Sequence, residues 1–435
     1  MLLAGSAAFI LVAAAPASAI VINIAGNPPL DPLAPPVVDT NNQFPNVLSI
    51  NLAGCTGTLI SPKVVLTAAH CVFNSQTGQF FPAAGVTVSN VFQVATVRGN
   101  PGFNQSNFSN DIAVLELPQP ITTIPRSALQ LGGNPIAAET PIYIVGYGIY
   151  GTATQPPNRV TGLPKDNQRR KAQTNIGAYV PGSTVLGSLS SQNFYFAQFR
   201  DPANPNLYNL FNLSVQPSSL EGGATTGDSG GPIFYCPAGA LNKCTTAQLV
   251  EIGETCCGDQ VVPGAPFFGY GTVAAYTPTA LFADWISSLG LPGMLVANAG
   301  NHNWGDPGAW TNGATPGIQD IAWLVNQGAI TLDTNAQVDS LWISGGQSWF
   351  IIPPAFTLVT TTNTNLSNGM LSVNGILNTP FLYMSGGVLN GAGTITGPGG
   401  TWVANVGGVV APGTANALGT LTIQGNYFQG PSGEL

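Results

Sequence analysis

The sequence predicts an all-β protein in two parts, and three observations carry that prediction. First, of 435 residues 54 are glycine, only 6% are charged and 44% are hydrophobic. Disorder goes with high charge and low hydrophobicity, so this chain folds, and its wealth of Gly, Asn, Thr and Ser with little Lys or Glu favours strands and turns over helix. Second, from Val47 onward short runs rich in Val, Ile and Thr alternate with Gly, Pro and Asn, the pattern of a barrel or sandwich. Third, beyond residue 303 Gly-Gly and Asn-Gly punctuate short strands at an irregular spacing of ~20 residues, the scale of one coil of a stacked solenoid.

Taken in order, residues 1–19 have the form of a secretory signal. Their apolar stretch Ala7–Ala15 is too short to span a bilayer, and Ala17-Ser18-Ala19 has the small-residue form of a cleavage site. No Lys or Arg precedes that stretch. A proline-rich arm, Asn27–Asp39, is expected to be irregular. Strands are expected at Val47–Leu52, Thr58–Ile60, Val64–Thr67, Val86–Val88, Val91–Val97, Ile112–Leu117 and Ile142–Val145. Residues 151–215 read as a long polar stretch with few strands. Strands resume near Ile233 and Val250, and Leu281, Phe282, Trp285 and Ile286 fall at helical spacing within Pro278–Leu289. One domain therefore occupies residues 20–290, residues 291–302 read as a linker, and residues 303–435 form the solenoid.

Charge is divided unevenly. All ten Lys and Arg lie before residue 244, and the rest of the chain holds Asp and Glu alone. The sole basic cluster, Lys165, Arg169, Arg170 and Lys171, reads as a solvated loop, so a nucleic-acid partner is not expected. No stretch after the signal is long and apolar enough for a membrane-spanning helix. Six cysteines in an exported chain point to disulfides rather than metal.

Three segments carry chemistry: Cys55 to Cys71, ending Thr67-Ala-Ala-His70-Cys71; Asp111-Ile-Ala-Val-Leu-Glu-Leu117; and Gly227-Asp228-Ser229-Gly230-Gly231-Pro232. A serine hydroxyl needs a base to become a nucleophile, and a histidine with an ordinary pKa of about 6.5 suits that task. Together, and in this order, the segments resemble the chymotrypsin/trypsin family of serine proteases over roughly Val47 to Leu289. The resemblance implies a double β-barrel closed by a C-terminal helix, with His70, Asp111 and Ser229 as a catalytic triad acting on protein or peptide substrates without a cofactor or metal. It implies an oxyanion hole from the backbone N–H groups of Gly227 and Ser229, and a Cys55–Cys71 disulfide bracing the histidine loop. In the chain-entropy model that bridge contributes about 3 kcal/mol. Cys236, Cys244, Cys256 and Cys257 allow three pairings, with the adjacent pair expected to go to different partners.

Two finer expectations follow from the same resemblance. Signal removal after Ala19 exposes Ile20-Val21, and a new Ile-Val terminus in the family pairs with the aspartate before the nucleophile, here Asp228. The base of the primary specificity pocket falls at Gly223, which offers no acid for Lys or Arg, so apolar or small side chains are expected there; Glu221 lies close by.

The C-terminal region, with Asn303-Trp304, Ala329–Asp333, Gly393–Gly397 and Ala411–Tyr427, resembles the passenger β-helix of bacterial autotransporters. That implies a right-handed parallel β-helix displaying the protease at a cell surface. The outer-membrane barrel that follows in that family has no counterpart in this sequence, so the expectation is either a fragment or a surface stalk exported differently. The rival expectation is a surface adhesin, or a protease-like domain used only for binding.

Overall fold

The structure is a computed structural model that describes residues 20–23, 30–52, 54–153, 166–264, 268–414 and 417–435. The expected signal, residues 1–19, lies outside the described residues, as do residues 27–29 of the arm and Lys165. Strands dominate, and among the described residues the longest helix is Ala283–Ser288. Among the described residues no helix is long and apolar enough to cross a membrane.

The first sheet has five strands in the order Val47–Ser49, Thr56–Ser61, Val64–Thr67, Ala113–Glu116 and Thr96–Gly99, all antiparallel. Both of its faces are covered. Leu59, Val65, Ala113 and Leu115 point into one core, whereas Ile60, Val64, Leu66 and Val114 point into another. This two-sided burial explains why these strands read as unbroken apolar runs rather than an alternation.

The second sheet runs Ala128–Leu129, Val250–Asp259, Pro232–Tyr235, Pro141–Gly146, Arg170–Pro181, Asn193–Gln198 and Val273–Pro278. A further pairing of Val250–Asp259 with Val273–Pro278 closes it into a barrel. The polar stretch 151–215 therefore does contain major strands, contrary to the expectation. Arg170–Pro181 looks polar because its buried Arg170, Thr174 and Asn175 have partners: Arg170 pairs with Asp166, Thr174 with Glu221, and Asn175 with the Glu139 carbonyl. A chain segment rich in hydrogen-bonding side chains enters a barrel when each finds a mate. The helix that closes the domain forms as expected, Thr279–Phe282 leading into Ala283–Ser288.

The C-terminal region is a parallel β-solenoid, its strands collected into one sheet of ten strands and one of seven. Ile321 stacks on Ser340, Ser340 on Asn363, Thr364 on Leu382, Leu382 on Val403 and Val403 on Tyr427, close to the spacing the sequence indicates. The expected linker is corrected here: Met294–Val296 already pairs in parallel with Ile321–Leu324, so residues 291–302 carry the first coil. Leu295 and Ala297 fill the solenoid interior, and a free linker would leave those side chains exposed.

The solenoid lies against the protease-like part. Along Ile321–Leu324, Ala322 and Leu324 point inward while Ile321 and Trp323 point outward, onto a core shared with Leu66, Ile112, Phe282 and Ile286. Phe381 and Tyr383 repeat the arrangement against Ile142, Tyr195 and Tyr235. A buried ion pair, Arg126–Asp339, and a 2.8 Å hydrogen bond between the Tyr235 and Tyr383 hydroxyls cross the same interface.

Candidate active site

His70 sits in a 3-10 turn, Ala69–Cys71, that follows the strand Val64–Thr67. The Cys55–Cys71 disulfide anchors the turn to the neighbouring strand, as expected from the resemblance. Asp111, fully buried just ahead of Ala113–Glu116, grips the histidine twice. Its Oδ1 accepts from the His70 backbone N–H at 2.8 Å, and its Oδ2 lies 2.7 Å from Nδ1. A carboxylate accepts only, so Nδ1 donates and Nε2 is left as the basic nitrogen. Burial works against protonating this imidazole, but the Asp111 charge and hydrogen bond prevail and raise its pKa above 6.5.

Ser229 lies on a loop tied to both sheets. Thr56 of the first sheet donates its backbone N–H to the Ser229 carbonyl at 2.9 Å and its hydroxyl to the Gly227 carbonyl at 3.0 Å. Thr255 of the second accepts from Gly230 and donates to Gly231, each at 2.7 Å. Gly230 has φ +73°, and a Cβ there would meet the Thr67 hydroxyl at 2.1 Å, so only glycine fits the turn. Sequence reasoning did not single out Thr56 or Thr255, because nothing local marks a threonine as a loop brace. The N–H groups of Gly227 and Ser229 have no hydrogen-bond partner among the described residues. Ser229 and His70 line one cavity of about 350 Å³, with no direct hydrogen bond between Oγ and Nε2. Such contacts are often long without substrate and tighten when it binds.

Asp228 is fully buried and turned away from that cavity. Its Oδ2 accepts from Ile20 N at 3.0 Å and Thr225 N at 2.8 Å, and its Oδ1 from Gly148 N at 2.9 Å. Burial pushes its carboxyl up to about 6, against the pull of those donors. Ile20 is completely buried, and Val21–Ile22 pairs with Gly222–Gly223 on one side and Gly151–Thr152 on the other.

The expected specificity position, Gly223, lies beside Phe199 in a small cavity that shares Ala224 and Thr272 with the His70–Ser229 cavity. Ala224, Thr225, Thr226, Phe268 and Thr272 line the larger cavity. Glu221 is spent elsewhere: its carboxylate accepts from the Thr174 hydroxyl and from Ser218 and Arg200 N–H groups, and burial pushes it up to about 7. The cysteine expectation is also corrected. Cys236 pairs with Cys244, and the adjacent Cys256 and Cys257 pair with each other on the cavity wall. Cys236 and Cys244 are brought together by the turn after Pro232–Tyr235, which leaves the adjacent pair no other partner. The second histidine, His302, lies on the solenoid, 3.8 Å from Asp306.

Behind the loop, Glu251 and Glu254 share a fully buried site on Val250–Asp259. Burial, and for Glu254 the neighbouring Glu251 and Asp111 charges, raise both above the ordinary carboxylate range. The folded protein therefore holds protons on Glu221, Glu251 and Glu254 that the unfolded chain releases above its ordinary value of 4.5. Stability from these groups is complete below that value and declines as pH rises through about 7. The urea midpoint of a Ser229→Ala protein, which cannot digest itself, is expected to be lower at about pH 8 than at about pH 5. Glu254→Gln flattens the difference; an equal or higher midpoint at the alkaline end contradicts the reading.

Comparison with known proteins covers part of this region, with His70 and Asp111 inside the family match and Ser229 beyond it. The family model described as Trypsin matches residues 37–198. Achelase-1 of Lonomia achelous is 29% identical over 220 residues, covering 46% of this chain and 89% of that protein. Chymotrypsin-like elastase family member 1 of Bos taurus is 33% identical over 175 residues, covering 36% and 59%. Serine protease SP24D of Anopheles gambiae is 32% identical over 123 residues, and there the chain spans only 44% of its relative's length.

Proposed function

We propose that this chain, a trypsin/chymotrypsin-like serine endopeptidase by its trypsin-family domain and its serine protease relatives, hydrolyses extracellular proteins through an acyl-enzyme, with His70, Asp111 and Ser229 as the triad. The observation that carries this is His70, held by Asp111 through both its backbone N–H and its ring Nδ1, on the wall of the cavity that Ser229 also lines. Ser229 Oγ attacks the scissile carbonyl carbon and passes its proton to His70 Nε2. Asp111 holds the tautomer and stabilises the imidazolium. The oxyanion that forms accepts from the unpaired N–H groups of Gly227 and Ser229, each worth on the order of 10²–10³ in rate. The imidazolium protonates the departing amine, a new N-terminus leaves, and water activated by the same nitrogen frees Ser229.

The buried approach of Ile20 N to Asp228 supports a second element. Cleavage after Ala19 converts that amide into an ammonium, and the resulting ion pair sets the Gly227–Ser229 amides in place. In this reading signal removal is itself the activating cut. Specificity favours small or apolar side chains, because among the described residues the one carboxylate that lines the cavity, Asp259, is exposed. Three disulfides support an extracellular setting, and the solenoid supports display in the manner of an autotransporter passenger.

The test is fluorophosphonate labelling of the mature protein, with its N-terminus sequenced and the adduct mapped by mass spectrometry. Labelling at Ser229, lost in His70→Ala, is expected. No labelling of a folded protein that begins at Ile20 turns the reading toward a protease-like binding protein. A mature start well beyond Ile20 removes the activation step.

A further inference from the structure

The Cys256–Cys257 disulfide occupies a position with consequences for catalysis. Both residues line the cavity that holds His70 and Ser229. Cys256 is buried against Leu186, Phe194, Phe196 and Val273, while Cys257 is only half-buried, at the cavity side. The strand bulges at this point: Thr255 pairs with Tyr276 and Cys257 with the very next partner, Ala275. A bulge inserts an unpaired residue and loosens the ladder locally. Here the disulfide closes a small ring around the peptide bond of the bulge and fixes it covalently. The residue immediately before it, Thr255, carries the two 2.7 Å hydrogen bonds that hold Gly230 and Gly231 of the nucleophile loop. The clasp thus stands between the substrate wall on one side and the Ser229 loop on the other.

We infer that the Cys256–Cys257 disulfide is a thiol-exchange site through which a dithiol reductant switches the protease off. The inference rests on the endopeptidase reading of the same cavity. One thiolate of the dithiol attacks Sγ of the accessible Cys257. The S–S bond breaks, and Cys256 departs as a thiolate and takes up a proton. The second thiol of the reductant then attacks the mixed disulfide, releasing Cys257 as a thiol, and the reductant leaves as its own disulfide. The two electrons gained by the cysteines come from the two reductant thiols. With the ring open, the bulge is held by its weakened ladder alone, and the wall and the Thr255 braces lose their fixed placement. A displacement of about 1 Å at such a site costs on the order of 10²-fold in rate. The Cys55–Cys71 bridge is buried at both residues and is protected from the same reagent.

The experiment titrates the mature full-length protein with dithiothreitol, blocks new thiols with a mass tag, and follows both the tagged residues and kcat/KM on a peptide with an apolar side chain before the scissile bond. Tagging of Cys256 and Cys257 in step with a loss of about 10²-fold, restored by reoxidation with oxidised glutathione, is expected. A Cys236→Ala/Cys244→Ala protein keeps that response, and a Cys256→Ser/Cys257→Ser protein no longer responds to reductant. Tagging at Cys256 and Cys257 with kcat/KM unchanged overturns the inference, as does reduction of Cys55–Cys71 before them. Absence of Ser229 labelling in the untreated, oxidised protein counts against the endopeptidase reading instead, so the two failures are distinguishable.

Discussion

Ser229→Ala is expected to lower kcat on protein substrates by on the order of 10⁴–10⁶ while leaving KM and the fold nearly unchanged. The fold is spared because the loop is held by backbone groups of Ser229, Gly230 and Gly231 and by Thr56 and Thr255, not by the Ser229 hydroxyl. KM is spared because the cavity walls are contributed by Ala224, Thr226, Phe268 and Thr272. The rate is lost because the hydroxyl that His70 is proposed to activate is gone, and the oxyanion donors alone supply no nucleophile. His70→Ala is expected to fall equally far, and the double variant no further, since a nucleophile and its base act as one unit. The oxyanion donors remain in all three proteins, which leaves a residual rate above water. Steady-state kinetics on a small apolar peptide measure all of this. A Ser229→Ala protein that keeps more than about a tenth of the activity contradicts the triad assignment.

The residues of the candidate site that the structure brings together were legible in the sequence to a degree the rest of the molecule was not. Catalytic geometry of this kind depends on short segments whose residue types are each chemically constrained. Histidine is needed as the base, aspartate as its buried partner, and Gly227 and Gly230 as left-handed turns that no side chain tolerates. Such constraints write themselves into adjacent residues. Specificity does not. Spacing to Ser229 points to Gly223, but what surrounds Gly223 is set by Val21, 202 residues away in the chain, and by Phe199. The strand Arg170–Pro181 was hidden for a related reason. Its polar side chains find partners at Asp166, Glu221 and Glu139, and no local pattern reports a partner supplied by another segment. The pairing of Cys256 with Cys257 was equally out of reach, since it depends on the other cysteines being taken.

The outward face of the solenoid was also illegible, and it gives the second large effect. Strands such as Ile321–Leu324 and Phe381–Met384 are buried on both faces, one inside the coil and one against the protease domain. That is why they carry no charges, and it means the protease domain is not complete without them. A chain ending at residue 290 exposes Leu66, Ile112, Phe282 and Ile286, and takes Asp339 away from Arg126. Where the interface stays closed, loss of one partner of a buried ion pair costs about 3–5 kcal/mol. Removing a buried tryptophan contact such as Trp323 or Trp342 costs about as much again. Against a total stability of about 5–15 kcal/mol for a typical domain, the truncated chain is expected to aggregate or stay unfolded. In the full chain Asp339→Ala is expected to lose about 3–5 kcal/mol, whereas Asp333→Ala, an exposed residue that holds only the Gly305 N–H, changes little. Tryptophan fluorescence reports the solenoid, because six of the seven tryptophans lie beyond residue 303, and Ser229 labelling reports the protease domain. The two urea transitions are expected to coincide, as they do when one cooperative unit unfolds. A soluble, labelling-competent fragment 20–290, or two well-separated transitions, makes the solenoid a mere appendage and removes the argument that it completes the protease core.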